Sequence, residues 1–311
     1  MRASRGKRTA FVSLALTLVI LGMSAWFLWP HVLFWRLFEA LGKNAQGYFE
    51  YRHRQTGIVM VRVPEGILEM GSSESELESV VRHWLPFDTK FRNFLNSRMP
   101  EQMRQDLITE SRLRDMVRRV EKHHVVSLRS FLIAKHEVTQ AVWARAMGCK
   151  PPTNETENDP ASRISWYEWH DFCTKTHLCF PTEAQWEYAA RAGNKAVFWW
   201  GNSLPDFGKD TDLTRFRTRF EALPSGWNLF GLLGLYEGEE WCEDYYDEDF
   251  YSAPEATEKD PVCKRETDQR SIRGACVWYS PLTWRFAARF GMDPDDKAVN
   301  DTFRPAYYPL P

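Results

Sequence analysis

Six cysteines, Cys149, Cys173, Cys179, Cys242, Cys263 and Cys276, are the side chains here best suited to redox or nucleophilic chemistry. None has the CxxC spacing of a zinc site, which leaves disulfides or thiols packed as small hydrophobes. Proximity along the chain suggests pairing Cys173 with Cys179, and Cys263 with Cys242 or Cys276, although order along a chain does not fix connectivity. Cys276, beside Val277 and Trp278 with Arg273 as the nearest basic residue, is the candidate lone nucleophile. Between positions 237 and 249, Glu237, Glu239, Glu240, Asp244, Asp247 and Asp249 offer hard oxygen ligands of the kind calcium takes; the alternative is a solvated acidic loop. His123, His124, His136, His170 and His177 are scattered and read as structural or surface histidines. The sequence contains no Gly-rich phosphate loop and no Ser nucleophile elbow.

The elements that must position these residues begin at a hydropathy boundary. Arg2, Arg5, Lys7 and Arg8 precede an uncharged, mostly apolar run from Ala10 to Trp29, and about 20 such residues span a bilayer as one helix. The basic flank predicts a cytoplasmic N-terminus and translocation of everything beyond the span. The run continues past the small residues Ser24 and Ala25, which favours an uncleaved anchor over a removable signal peptide. The expected layout is a cytoplasmic flank at 1–8, a transmembrane signal-anchor at 9–36, a linker at 37–56 and a folded domain at 57–311. A short, basic-flanked anchor suits a bacterial inner membrane with the domain in the periplasm, and a eukaryotic secretory membrane would impose the same physics. All six cysteines fall in the translocated part, where disulfides persist. With 43% hydrophobic residues and 14 Trp the chain can bury a sizeable core, and a formal net charge of −2 gives no field for nucleic acid.

From Val59 to Met70 apolar and polar residues alternate around Pro64, Glu65 and Gly66, predicting a two-strand hairpin that opens the domain. Residues 74–122, rich in Glu, Arg, Asp and Leu, predict a helical insertion with a solvated charged face, its apolar stripe carried by Met103, Leu107, Leu113, Met116, Val117 and Val120. Val125 to Ile133 reads as a strand. Thr139 should N-cap a helix that stops at Gly148, while Ser165 with Glu168 and Thr182 with Gln185 have capping-box spacing. The last of these helices meets Gly193, a residue suited to the left-handed position after a helix. Beyond it periodicity fades, so the fold class expected is a loop-rich α+β domain held by aromatic packing, disulfides or bound metal.

The segment PTEAQWEYAARAG (Pro181 to Gly193) resembles the PTEAEWEYAARGG signature of the formylglycine-generating-enzyme, or sulfatase-modifying factor, family. Its neighbours fall in family order. VRVPEGILEMGS resembles the opening hairpin, FLIAKHEVTQAVWARAMG the K-x-E-V-T helix start, and PASRISWYEWHDFC the V-S-W-x-x-A-x-x-Y-C stretch. FWWGN, NLFGL, EWCEDYY, SIRGACVW and the closing DTFRP follow, so the likeness runs from about residue 57 to 305 apart from the insertion. It implies one C-type-lectin-like, loop-rich α+β domain.

Two departures bear on function. Members that make formylglycine hold copper(I) with two cysteines soon after the R-G-G-S strand, and thiolates are the soft ligands that copper(I) needs. Counted without gaps, those positions here are Tyr279 and Trp284, so copper is not expected; Cys276 takes the family's Ser position. The family's cation-wrapping G-N-x-W-E-W loop reads YEGEEW, in which Glu240 matches the family Glu and calcium is the candidate cation. The expected function is a membrane-anchored, extracytoplasmic, non-catalytic member acting as a binding module. Its aromatic residues Trp199, Trp200, Trp278, Tyr279 and Trp284 would hold a protein segment or glycan. The alternatives are a protein-modifying oxidase of the formylglycine-generating type, a metal-dependent oxidase with other ligands, or a structural subunit of an envelope complex docked through the insertion.

Overall fold

The structure, a computed structural model, describes residues 29–97, 101–103, 107–149, 156–202, 228–235, 238–274, 281–298 and 301–310. The basic flank and nearly all of the apolar run lie outside the described residues, among which no helix is long and apolar enough to cross a membrane.

Residues 29–37 are helical (α1), and Phe34 and Leu37 on the inner face pack with Phe38 and Tyr51 in a buried cluster. The stretch expected as a linker is structured: β1 (Phe38–Lys43) pairs antiparallel with β2 (Phe49–His53). Each strand buries only a residue or two, so its period of two is hard to see in the sequence. The chain then runs through β3 (Val59–Val63), β4 (Gly66–Met70), α2 (Glu74–Ser79), one π-helical turn (Val80–Trp84), α3 (Leu85–Asn96), α4 (Glu110–Val120), β5 (His124–Leu128) and β6 (Phe131–Ala134). Helices α5 (Gln140–Met147), α6 (Trp166–Thr176) and α7 (Glu183–Arg191) precede β7 (Glu239–Tyr245), β8 (Arg270–Gly274), β9 (Phe290–Met292), β10 (Asp301–Thr302) and β11 (Ala306–Tyr307).

The strands form a five-stranded sheet ordered β1-β2-β3-β6-β11, a four-stranded sheet ordered β10-β7-β8-β9, and the pair β4-β5. The fold is mixed α+β. Val59 to Met70 does form two strands, but they do not pair with each other: β3 lies between β2 and β6, and β4 joins β5. Alternation fixes which face is buried and not which neighbour is hydrogen-bonded, so the expected hairpin gives way to a strand that changes layers at Pro64 and Glu65. The single strand expected from Val125 to Ile133 likewise divides, where the Asp260 carboxylate accepts from the Arg129 backbone N–H at 2.6 Å.

Helices α5 to α7 stand where their caps place them. Ser165 Oγ accepts from Glu168 N at 3.3 Å while Glu168 Oε2 accepts from Ser165 N at 2.9 Å; Thr182 and Gln185 repeat the exchange at 3.2 and 3.0 Å. Gly148 sits at φ 77°, as its place after α5 requires.

The insertion at 74–122 is helical but not appended. Leu77, Val80, Leu113 and Val117 enter the same buried cluster as Trp186, Trp284 and Phe286. The π-helical turn and α3 pack on the 3-10 turn Pro281–Trp284. Both roots of the insertion meet one guanidinium. Arg285 Nη1 and Nη2 reach Glu121 at 2.5 and 2.7 Å, Nη1 reaches Ser72 Oγ at 3.1 Å, and Ser72 donates to Glu121 at 2.7 Å. The charged face is solvated as expected, with Arg114 and Arg118 bridging to Glu78 and Glu74 of α2.

Candidate functional site

Helix α7 is the organising element, buried along nearly its whole length even at Glu183, Glu187 and Arg191. An unpaired charge so placed would cost several kcal/mol, and each has a partner. Glu187 binds Arg273 of β8 at 2.5 Å and Arg191 at 2.9 Å, and Glu183 binds Arg289 at 2.8 Å. Burial alone would raise the Glu187 carboxyl, but Arg191 and Arg273 hold it below its ordinary value. Next to Arg273, Gly274 sits at φ +99°, where a Cβ would meet the Gly238 carbonyl at 2.6 Å, so the Arg-Gly pair is a packing requirement. Asn228 closes the other end of α7: its Nδ2 donates to the Ala189 carbonyl at 2.7 Å while its Oδ1 accepts from Phe230 and Leu232 N–H at 3.0 Å each.

Glu240, the candidate calcium ligand, is fully buried with both oxygens engaged. Arg304 approaches to 3.0 Å and the Trp186 indole donates at 2.8 Å. It is an ion-pair partner, and this arrangement does not fit a calcium shell of six to eight oxygens. Among the described residues no group of three or more His, Cys, Asp or Glu could hold a metal.

Beside it, Glu239 and Asp301 are partners across the parallel β7-β10 pair, and each leaves one buried oxygen without a hydrogen-bond partner. Burial, then the Asp301 charge, pushes the Glu239 carboxyl up to about 8. Asp301 is pushed up to about 6, mainly by burial.

The described cysteines are all free thiols, so the disulfides expected between Cys173 and Cys179 and between Cys242 and Cys263 are not formed. Cys173 and Cys242 are buried among aromatic and aliphatic side chains. Burial pushes Cys173, Cys179 and Cys242 well above the ordinary thiol range and Cys263 up to about 11. Protonated, and buried except for the half-buried Cys179, they serve as packing and not as nucleophiles or soft-metal ligands. Cys276, Trp278 and Tyr279 lie outside the described residues.

Trp284 is described, and it is no surface aromatic: its exposure is 0%. It stands 6.4 Å from Trp200, which in turn meets Trp199 edge-on at 4.0 Å and stacks on Phe198 at 4.8 Å. Trp199 and Trp200 are half-buried on the rim of this cluster. A buried indole has no lone pair to offer copper(I), so this position does not fit the metal of the formylglycine-generating chemistry.

Sequence reasoning missed Arg273, Arg285 and Arg289 as the hubs of the interior. The signal was present: SIRGAC, TWRFA and AARFG each set an arginine among small and apolar residues, where a solvated side chain would be unusual.

Residues 45–307 match the family model of the sulfatase-modifying factor enzyme 1-like domain. The formylglycine-generating enzyme of Bos taurus is 24% identical over 287 residues, covering 81% of this chain and 75% of that protein. The formylglycine-generating enzyme of Thermomonospora curvata is 28% identical over 194 residues, 56% of this chain and 63% of that protein, so the chain spans less than two thirds of that relative. Among solved structures, PvdO from Pseudomonas aeruginosa superposes with a TM-score of 0.55 at 18% identity, covering 86% of this chain and 97% of that one. Treponema denticola variable protein 1 gives 0.54 at 17%, covering 81% and 95%. At these identities the two structures bear on the fold alone.

Proposed function

Because the chain belongs to the sulfatase-modifying factor enzyme 1-like family, we propose that it is a non-catalytic member of it, a binding module anchored in a membrane by its apolar N-terminal run. On this reading the domain has a C-type-lectin-like arrangement, lies outside the cytoplasm on the periplasmic side of a bacterial inner membrane, and holds a protein segment or glycan against its aromatic residues. One observation carries the non-catalytic reading. Where the resemblance calls for the second copper-binding cysteine there is an indole with 0% exposure, and the helical insertion packs over the turn that holds it.

The ion pairs around α7 support the same reading, because they bind Glu183 and Glu187 of the signature helix to Arg289 and Arg273, and Glu240 to Arg304. Rim aromatics Trp199 and Trp200 supply a surface that stacks on a sugar ring or a side chain without chemistry.

The test uses the full-length protein purified without chelator and offered copper(I), iron(II) and calcium separately, with a sulfatase-type cysteine peptide as substrate. Less than a tenth of an equivalent of transition metal and no conversion of the peptide cysteine is the expected result. One copper per chain with conversion would overturn it in favour of the protein-modifying oxidase.

A further inference from the structure

Helix α1 has two apolar faces, and only one of them is used by the domain. Phe34 and Leu37 face inward, at 6 and 9% exposure. On the outer side Trp29, Val32 and Trp35 are 61, 56 and 54% exposed. Three large apolar side chains on one short helix face are costly to leave in water. The sequence says what covers them: the described part of α1 opens on Trp29, the last residue of the uncharged run that starts at Ala10.

We infer that the outer face of α1 is seated in the headgroup layer of the bilayer, so that the domain is held at the membrane in one orientation and does not swing on a linker. This rests on the anchoring reading above. Counted at 1.5 Å per residue, about 20 residues match the roughly 30 Å hydrocarbon core, which brings Trp29 to its edge. Trp35 follows about 9 Å further on by the same rise, and helical side chains lean back toward the N-terminus, which returns its indole toward the interface. Indoles favour that layer, and Arg36, exposed beside Trp35, is placed to meet lipid phosphate. The inner face makes the coupling rigid, because Phe34 packs at 5.1 to 5.3 Å from the rings of Phe38 and Tyr51 and α1 passes directly into β1.

The experiment takes the full-length protein, labelled with 5-fluorotryptophan, in phosphatidylethanolamine and phosphatidylglycerol nanodiscs. Trp29→Phe and Trp35→Phe variants assign the two fluorine resonances. A lipid spin-labelled near the top of its acyl chain should reduce both intensities at least fivefold, while a water-soluble gadolinium chelate leaves Trp35 nearly unchanged. Trp29 broadened by the lipid label but Trp35 broadened by gadolinium would overturn the docking and leave the anchor intact. If neither responds to the lipid label and alkaline carbonate strips the protein from membranes, the anchoring reading itself has failed, and the docking with it.

Discussion

Glu239 and Asp301 bury two acidic groups side by side with no cation opposite either among the described residues, which makes stability depend on a proton. Glu239 keeps its proton up to about 8 when folded and loses it near 4.5 when unfolded. Below the lower value both states are protonated and the group costs nothing. Between the two values unfolding releases a proton, so rising pH favours the unfolded chain by about 1.4 kcal/mol per unit for this one group. His53, lowered to about 4 by burial, works in the opposite sense, since its contribution is lost as pH falls from 6.5 through that value. A difference isolates the acid: Glu239→Gln should gain on wild type by roughly 3–4 kcal/mol from pH 5 to pH 8 in urea titrations. A flat difference would mean that Glu239 is ionised throughout. The thiols give a second residue-scale prediction. In a Cys276→Ser variant a thiol reagent should titrate one group in the native protein, the exposed Cys149, and five in denaturant without reductant. Fewer than five would return the disulfides that cysteine order suggested.

Among elements, the insertion is where packing overrides appearance. The apolar stripe expected on the insertion is used by the domain core: Leu113 is fully buried in one cluster with Trp186 and Trp284. Leu113→Ala should therefore lower the stability of the whole domain by about 2–5 kcal/mol at unchanged urea m-value. If the insertion hung free, the main transition would not move. The capped helices α5, α6 and α7 were legible because a cap is a local event: Thr139, Ser165 and Thr182 each bond a backbone N–H within the next turn. Strand existence was legible at Val59 to Met70, but strand partnership was not, since the β3–β6 pairs, from Val63 with Phe131 to Met60 with Ala134, join positions at least 68 apart in number. What ties the ends of the insertion together was hidden for the same reason, because nothing near Ser72 or Glu121 announces Arg285.

For the molecule as a whole, the interior is held by ion pairs between chain and chain where the family likeness called for a cation. Arg304 occupies Glu240, and Arg285 occupies Glu121. Removal of calcium by a chelator should leave the melting temperature within about 1 °C of its starting value, since Arg304 already neutralises Glu240 and no group of acidic residues among those described could hold the ion. A drop of several degrees would place a cation in the fold. The order of motifs revealed the family and the scaffold, whereas the state of the site depended on burial. Trp284 reads as a binding aromatic in the sequence and is buried in the structure, in the cluster that also holds Leu77, Leu113 and Phe286.

The five-stranded sheet has one more consequence. Its order places β11, almost the last residues of the chain, against β6, while Phe303 fills the cluster around Trp169 and Arg304 neutralises Glu240. Until residues 303–307 are in place, Glu240 lacks its counter-charge and β6 lacks one of its two neighbours. This closure joins segments far apart along the chain, and such contacts form only after a large loop-entropy cost has been met, so the docking of β11 on β6 belongs among the slow steps of folding.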